Sequence, residues 1–231
     1  MTRLHQTAME TIVQRVVDGE LAPGEWLASE ERLKDELRIS RGVVRETISA
    51  LKERGIVEVR HGRGQRVLPE EEWDLLDAQV LAAIVTARRL DVVRELLECQ
   101  ALLEPAAAAL AAERASDEAI AELEARHADV VRAAGARRHG VALQDPLVGA
   151  EIAFHRSLAQ MTRNRPLQRM LAPIATALAL VRHELAAGDE EALVRALRRT
   201  LRAIKGRDAE AARTSAEART AAARRWLKAA G

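Results

Sequence analysis

The segment EIAFHRSLAQ, residues 151–160, places a carboxylate and an imidazole four positions apart. On a helix this spacing brings Glu151 and His155 onto one face, where both side chains reach toward a single point. The two side chains could bind a divalent metal ion, but two protein ligands are too few for a secure metal site. Three other histidines stand at no recognisable ligand spacing from His155 and are interpreted as packing or surface residues: His127, His139 and His183.

Donor side chains recur three or four positions apart in RGVVRETISALKE: Arg41, Arg45, Ser49 and Lys52. Apolar side chains at the same spacing would occupy the opposite face of a helix: Val44, Ile48 and Leu51. Burial of this apolar stripe turns the donors outward, where arginines reach guanine edges or phosphates in a DNA groove. The segment predicts a DNA-recognition helix, although a solvated charged face has the same pattern.

Basic residues also cluster in IVEVRHGRGQRVL, where apolar and polar residues alternate on both sides of HGRG. This pattern predicts two strands joined by a tight turn. His61, Arg63 and Arg66 would lie at the hairpin tip. Gly62 and Gly64 would let the backbone approach a narrow groove closely. An ordinary charged turn is the alternative, but a basic helix and a basic hairpin in one short domain favour DNA binding.

Three short helices are predicted before the hairpin. The first ends at the Pro-Gly pair of APGEWL, and Ser29 and Ser40 are candidate N-caps of the second and third. Gly55 is a natural stop for the third helix. Three helices and a hairpin predict a winged helix-turn-helix domain over residues 1–69.

From residue 70 onward the pattern indicates a succession of helices. Ser116 and Asp145-Pro146 mark two helix starts, and RPLQRM, GDEEAL and GRDAEAA mark three more. The composition agrees, since Tyr is absent and Phe occurs once. The predicted fold class is mainly α: a winged helix-turn-helix with a small β-hairpin, followed by an all-α bundle of six or seven helices over residues 70–231.

The overall charge restricts the partners. With 36 basic and 35 acidic residues the net charge is +1, so binding to nucleic acid must come from a local patch. No segment is apolar for long enough to span a bilayer, and the N-terminus lacks the apolar core of a signal peptide. The single Cys99 excludes a disulfide within the chain and is expected to be a small buried apolar residue. We expect a soluble cytoplasmic protein that does not bind a membrane.

Motifs of common enzyme classes are absent from the sequence. HGRG lacks the third glycine of a dinucleotide loop, no GxxxxGKS or GxxxxGKT phosphate loop occurs, and HELAAG has no second histidine for a zinc protease. No catalytic residue and no cofactor are therefore predicted.

The segment LAPGEWLASEERLKDELRISRGVVRETISALKERGIVEVRHGRGQRV resembles the DNA-binding domain of the GntR family of bacterial transcription regulators. The resemblance implies that Arg41 and Arg45 are the main operator-contacting side chains. One position departs from the family: after Glu30, where an Arg often contacts DNA, this chain has Glu31. The predicted DNA-binding residues are Ser29, Arg32, Ser40, Arg41, Arg45, Ser49, His61, Gly62 and Arg63.

The later helices resemble the FadR subfamily of GntR regulators, through LLEPAAAALAA and EIAFHRSLAQMTRN. The helical domain of that subfamily binds a small effector, often an organic acid, and its dimer reads an inverted repeat. Many members hold a divalent metal through an Asp, a His four residues later and two further His residues. The corresponding positions here are Glu151, His155, Leu197 and Arg219. Gln100 stands where many members have an Arg that contacts the effector.

Half of that metal site is missing, and a guanidinium in the same cavity repels a cation. We predict that no metal binds there. Arg219 is predicted to pair with Glu151 or to bind the carboxylate of an acidic effector, with a purely structural ion pair as the alternative. The predicted effector-binding residues are Gln100, Glu151, His155 and Arg219.

These features predict a transcription regulator, more specifically a repressor, that binds an inverted-repeat operator in double-stranded DNA as a homodimer and responds to a small effector. Two alternatives stay open. One is a helical ligand-binding or metal-binding enzyme fused to a DNA-binding module, which turnover of a bound acid would reveal. The other is a regulator whose C-terminal domain serves only for dimerisation, which an occupied internal cavity would argue against.

Overall fold

The computed structural model describes residues 3–87, 89–136, 145–185 and 190–230. The chain folds as two compact units, Met1–Arg88 (unit 1) and Arg89–Gly231 (unit 2). His139 and the side chain of His183 lie outside the described residues.

Unit 1 opens with three helices: α1 (Arg3–Val17), α2 (Glu30–Leu37) and α3 (Arg41–Glu53). An antiparallel pair of strands follows: β1 (Val57–Arg60) and β2 (Gly64–Val67). A single 3₁₀ turn at Glu70–Glu72 leads to α4 (Ala78–Thr86). The three helices and the hairpin expected from the sequence are confirmed.

Hydrogen bonds at the helix starts explain where α2 and α3 begin. The Oγ atom of Ser29 accepts a hydrogen bond from the backbone N–H of Arg32, and that of Ser40 accepts one from Val43. Each hydroxyl satisfies a backbone donor that has no partner within its own helix. Both serines are therefore the N-caps that the sequence indicates.

Gly55 is required where α3 ends. Its φ of 68° lies in the left-handed region, and a Cβ atom on this residue would lie 2.0 Å from the carbonyl oxygen of Glu72. Any side chain would displace that backbone, so only glycine fits the position.

Helix α4 belongs to unit 1 because it packs on α1. Its N-cap, Asp77, also forms an ion pair with Arg54 at the end of α3, with 2.9 Å between Oδ2 and Nε. The domain boundary predicted from the sequence follows residue 69, whereas the boundary between the two compact units follows residue 88.

Unit 2 has six helices among its described residues: α5 (Leu90–Arg114), α6 (Asp117–Gly135), α7 (Pro146–Met161), α8 (Arg165–Leu185), α9 (Glu190–Lys205) and α10 (Ala209–Ala230). Helix α10 packs most extensively on α5, while α6 packs on α7 and α9. The core between them buries large apolar side chains such as Phe154, Leu123 and Leu197 against the alanines of α5. The predicted fold class, mainly α with one small hairpin, is confirmed.

Among the described residues, no helix combines the length and the apolar character that a membrane span needs. Cys99 is exposed, so the expectation that it is buried is wrong. Cys99 lies on the outer face of α5, beside the exposed Leu102, whereas Leu96 and Leu97 face the core.

Candidate functional site

Helix α3 presents polar side chains on the face opposite its apolar stripe. Val44, Ile48 and Leu51 are buried in unit 1. Arg41 and Arg45 project from the other face, and their side chains are 70% and 74% exposed. Both belong to the first two turns of α3, where the helix dipole and the free backbone N–H groups favour a phosphate. The geometry suits entry of this helix end into a DNA groove.

Each of the two arginines contacts a carboxylate at the start of α2. Arg41 Nη2 lies 2.7 Å from Glu31 Oε2, and Arg45 Nε lies 3.2 Å from Glu30 Oε2. The pKa of Glu31 is lowered, chiefly by a hydrogen bond from Lys34 and also by one from Arg41. Glu31 is therefore ionised at neutral pH and partly neutralises Arg41 in the free protein.

The other predicted DNA-binding residues of α2 and α3 surround these arginines at the surface. Arg32 lies on the outer face of α2, with Nη2 3.6 Å from Glu36 Oε1. Ser49 is exposed one turn beyond Arg45. Ser29 and Ser40 are exposed caps whose hydroxyl groups bond to their own helices.

The hairpin turn consists of His61, Gly62 and Arg63, all of them exposed. Gly62 has a φ of 74°, so glycine is favoured in this turn. The expectation that Arg66 lies at the tip is wrong. It stands opposite Glu58 in the strand pair, and its Nη2 atom lies 2.6 Å from Glu58 Oε1.

Glu31→Gln is expected to raise the affinity for operator DNA about two- to fivefold, because it frees Arg41 and removes a negative charge beside the recognition helix. Fluorescence anisotropy at one fixed salt concentration measures the change. Asp35→Asn is the matched control, since Asp35 is an exposed carboxylate of the same helix that contacts Lys34. An affinity no higher than that of the control would mean that Glu31 does not oppose DNA binding.

A cavity of about 370 Å³ lies among α5, α7, α8, α9 and α10. All four predicted effector-binding residues line it: Gln100, Glu151, His155 and Arg219. Leucine, valine and alanine side chains make up most of the remaining wall. The structure therefore brings together residues from three helices around a space that suits a small, partly apolar molecule.

Glu104 of α5 joins two of these residues beside the cavity. His155 Nδ1 lies 3.0 Å from Glu104 Oε1, and Arg219 Nη2 is in close contact with the same oxygen. Arg219 and Glu104 therefore form an ion pair, but the contact at Nη2 does not have the geometry of a hydrogen bond. The expected pairing of Arg219 with Glu151 is wrong, because α10 packs on α5, the helix that carries Glu104.

Glu151 is paired instead with Arg182 of α8. Arg182 Nε donates a hydrogen bond of 3.3 Å to Oε1, and Nη2 contacts Oε2, which is the two-pronged geometry of a strong pair. Sequence reasoning identified neither Glu104 nor Arg182. The sequence does contain a sign that Glu104 is functional, because it is a lone carboxylate within the apolar run ALLEPAAAALAA. Nothing in the spacing of Arg182 links it to Glu151.

Burial sets the protonation states in the cavity. It lowers the pKa of His155, an effect that the charge of Glu151 opposes and that of Arg182 reinforces. His155 is therefore neutral at neutral pH. Burial also lowers the pKa of Arg219 to about 10, so its guanidinium stays charged.

The residues present do not fit the metal site of the FadR subfamily. Leu197 is buried in the apolar core, Arg219 brings a positive charge, and Glu151 is held by Arg182. The part of the chain that the structure describes contains no group of three or more His, Cys, Asp or Glu side chains suited to a metal ion.

Protein purified without a histidine tag is expected to contain far less than one equivalent of zinc, nickel or manganese, because only two ligands of that site remain. Elemental analysis by mass spectrometry gives the stoichiometry. His155→Ala is the control, and a stoichiometric metal that disappears in this variant would contradict the prediction.

Comparisons with known proteins cover both units. A family model described as bacterial regulatory proteins, gntR family, matches residues 4–67, and an FCD domain model matches residues 95–222. The galactonate operon transcriptional repressor of Escherichia coli is 28% identical over 223 residues, which cover 94% of each chain. The HTH-type transcriptional regulator LutR of Bacillus subtilis is 35% identical over 163 residues, covering 71% of this chain and 70% of that one.

A solved structure has a similar fold. Lar, described as controlling the expression of the Listeria monocytogenes agr system, aligns with a TM-score of 0.70 and 20% identity over 100% of this chain and 99% of its own. The matching families and relatives are transcription regulators and not enzymes, in agreement with the sequence prediction. The chain therefore belongs to the GntR family of transcription regulators that carry an FCD domain, consistent with the FadR-type subfamily.

Proposed function

We propose that this regulator acts in the cytoplasm as a homodimeric repressor. Two copies of α3 read the halves of an inverted-repeat operator, and a small carboxylate-bearing effector in the cavity of unit 2 releases the protein from DNA.

The observation that carries the DNA-binding part of the proposal is the exposure of Arg41 and Arg45 at the N-terminal end of a helix whose opposite face is buried. Arginine binds guanine through two hydrogen bonds, which gives sequence preference as well as affinity. The exposed hairpin turn at His61, Gly62 and Arg63 supplies a second contact, to the backbone or the minor groove.

The cavity supports the effector part. A space of about 370 Å³, lined mainly by apolar side chains with a few convergent polar groups, is typical of a site for a small molecule. Arginine side chains in its wall favour an anion. One relative is named for a galactonate operon, and galactonate carries a carboxylate. A domain that served only for dimerisation would not need such a space.

A dimer on a two-fold site is expected because one short recognition helix contacts too few base pairs to select a site in a genome. Selection of genomic fragments by the purified protein identifies the operator, and light scattering measures the mass of the protein and of its complex with that operator. We expect two protein chains in the free protein and two in its complex with the operator. A monomer at micromolar concentration that stays monomeric on DNA would contradict the proposal.

The same operator tests the effector. Small organic acids are screened at millimolar concentration for one that lowers DNA occupancy. Ala222→Trp obstructs the cavity and is expected to abolish the response while basal DNA binding survives. Ala211→Trp is the matched control, because Ala211 is also exposed on α10 but does not line the cavity. A response that persists in Ala222→Trp would place the effector elsewhere.

A further inference from the structure

Among the residues that the structure describes, the charged groups around the cavity cancel in pairs, with the exception of Arg199. Arg182 is paired with Glu151, and Arg219 is paired with Glu104. His155 is neutral because burial lowers its pKa. Arg199 of α9 also lines the cavity, and it forms no ion pair or hydrogen bond with any residue that the structure describes. No described side chain therefore neutralises the positive charge of Arg199.

The position of Arg199 suits the binding of a ligand that enters from solvent. The residue is exposed as well as part of the cavity wall, so it can be reached both from solvent and from the cavity. Ala196, one turn earlier on α9, lines the same cavity and leaves space beside it. The five N–H donors of an arginine fit a carboxylate, and no described residue accepts a hydrogen bond from those of Arg199.

The rest of the wall restricts the other end of the ligand. Leu97, Leu178 and Leu193 line the interior together with several alanines. An apolar portion of the ligand is favoured there, because its burial removes apolar surface from water. A second acid group is disfavoured in the interior, because the guanidinium groups of Arg182 and Arg219 already have carboxylate partners.

We propose that Arg199 binds the acid group of a monoanionic effector whose apolar portion lies against the leucines of the cavity. This inference rests on the proposed function of the cavity as an effector site. It assigns the anion contact to Arg199 on α9 and not to Arg219 on α10.

Binding of defined probes tests the assignment. The probes are straight-chain monocarboxylates from propanoate to octanoate, the primary amides of the same lengths, and the dicarboxylates succinate and adipate. Isothermal titration calorimetry on the full-length protein measures each Kd. The monocarboxylates are expected to bind at least about fivefold more tightly than their amides and than the dicarboxylates.

Two substitutions then locate the anion contact. Arg199→Gln is expected to weaken monocarboxylate binding about five- to tenfold and to leave amide binding unchanged, because it removes only the charged contact. Arg199→Lys is expected to recover part of the affinity, since it keeps the charge but not the planar fork. Arg198→Gln is the matched control, because Arg198 is the neighbouring exposed arginine and lines a separate groove between α6 and α9.

Several outcomes would overturn the inference. They are equal affinity for acids and amides, tighter binding of the dicarboxylates, unchanged acid binding in Arg199→Gln, and no binding of any probe to the parent protein. Failure of the proposed function looks different. Suppose that a ligand releases the operator and that Ala222→Trp abolishes this response but Arg199→Gln does not. The result would support the effector site and contradict the role of Arg199. If obstruction of the cavity never changes the response, the effector site itself falls.

Discussion

Arg41→Ala and Arg45→Ala are each expected to weaken operator binding by about 1–3 kcal/mol, or roughly fivefold to more than a hundredfold in Kd. The loss arises in the complex, where a bidentate contact to a base disappears. In the free protein both side chains are mostly exposed and their ion pairs with α2 are at the surface, so the fold changes little. Gel-shift titrations with the selected operator and with an unrelated duplex, at one salt concentration, separate specific from non-specific binding.

Arg169→Ala is the control for this prediction. It removes the same charge from an exposed position on α8, and we expect it to bind operator like the parent protein. Circular dichroism melting curves for the three variants show whether each is folded. Parental affinity in both Arg41→Ala and Arg45→Ala would exclude α3 as the recognition helix.

Arg219→Ala is expected to lower the free energy of unfolding by about 3–5 kcal/mol, because it leaves a buried carboxylate without its counter-charge. The side chains of Glu104 and Arg219 are only 5% and 13% exposed, so both charges lie largely out of contact with bulk water. Burial lowers the pKa of His155, the other neighbour of Glu104, and so opposes its protonation as a replacement for the lost charge. Urea denaturation followed by circular dichroism measures the change.

The double variant Glu104→Gln/Arg219→Met separates the loss of a partner from the value of the pair itself. It removes both charges, fills most of the volume and keeps an amide oxygen within reach of His155, so most of the stability should return. Arg224→Ala is the matched control, because Arg224 forms an exposed pair with Glu98 across the same two helices, and we expect a change of about 1 kcal/mol or less. A loss in Arg219→Ala no larger than in Arg224→Ala would contradict a structural role for the buried pair.

The double variant also decides between the two roles proposed for Arg219. If effector-induced release from DNA survives in Glu104→Gln/Arg219→Met, the guanidinium is structural. Loss of release with basal DNA binding intact would show that Arg219 also contacts the effector.

Much of unit 1 was predictable because its determinants are local. Val44, Ile48 and Leu51 share one face of α3 by helical spacing alone, and this decides that Arg41 and Arg45 point away from the core. The caps, the stop at Gly55 and the hairpin turn depend on residues a few positions apart, so their signals lie within short segments. The assignment of α4 to unit 1 was not predictable in this way, since it depends on packing against α1, which lies far earlier in the chain.

Helical spacing alone puts Glu151 and His155 on one face of α7, so their approach to a common space was predictable. The partners of Glu151 and Arg219 depend instead on how the helices pack. Glu151 pairs with Arg182 and Arg219 pairs with Glu104, because α8 lies against α7 and α10 against α5. Helical periodicity specifies the direction in which a side chain projects from the axis of its helix. It does not specify which neighbouring helix lies opposite, and a salt bridge between helices depends on that neighbour. The charge of Arg199, which no described side chain neutralises, likewise follows from this packing and not from helical spacing.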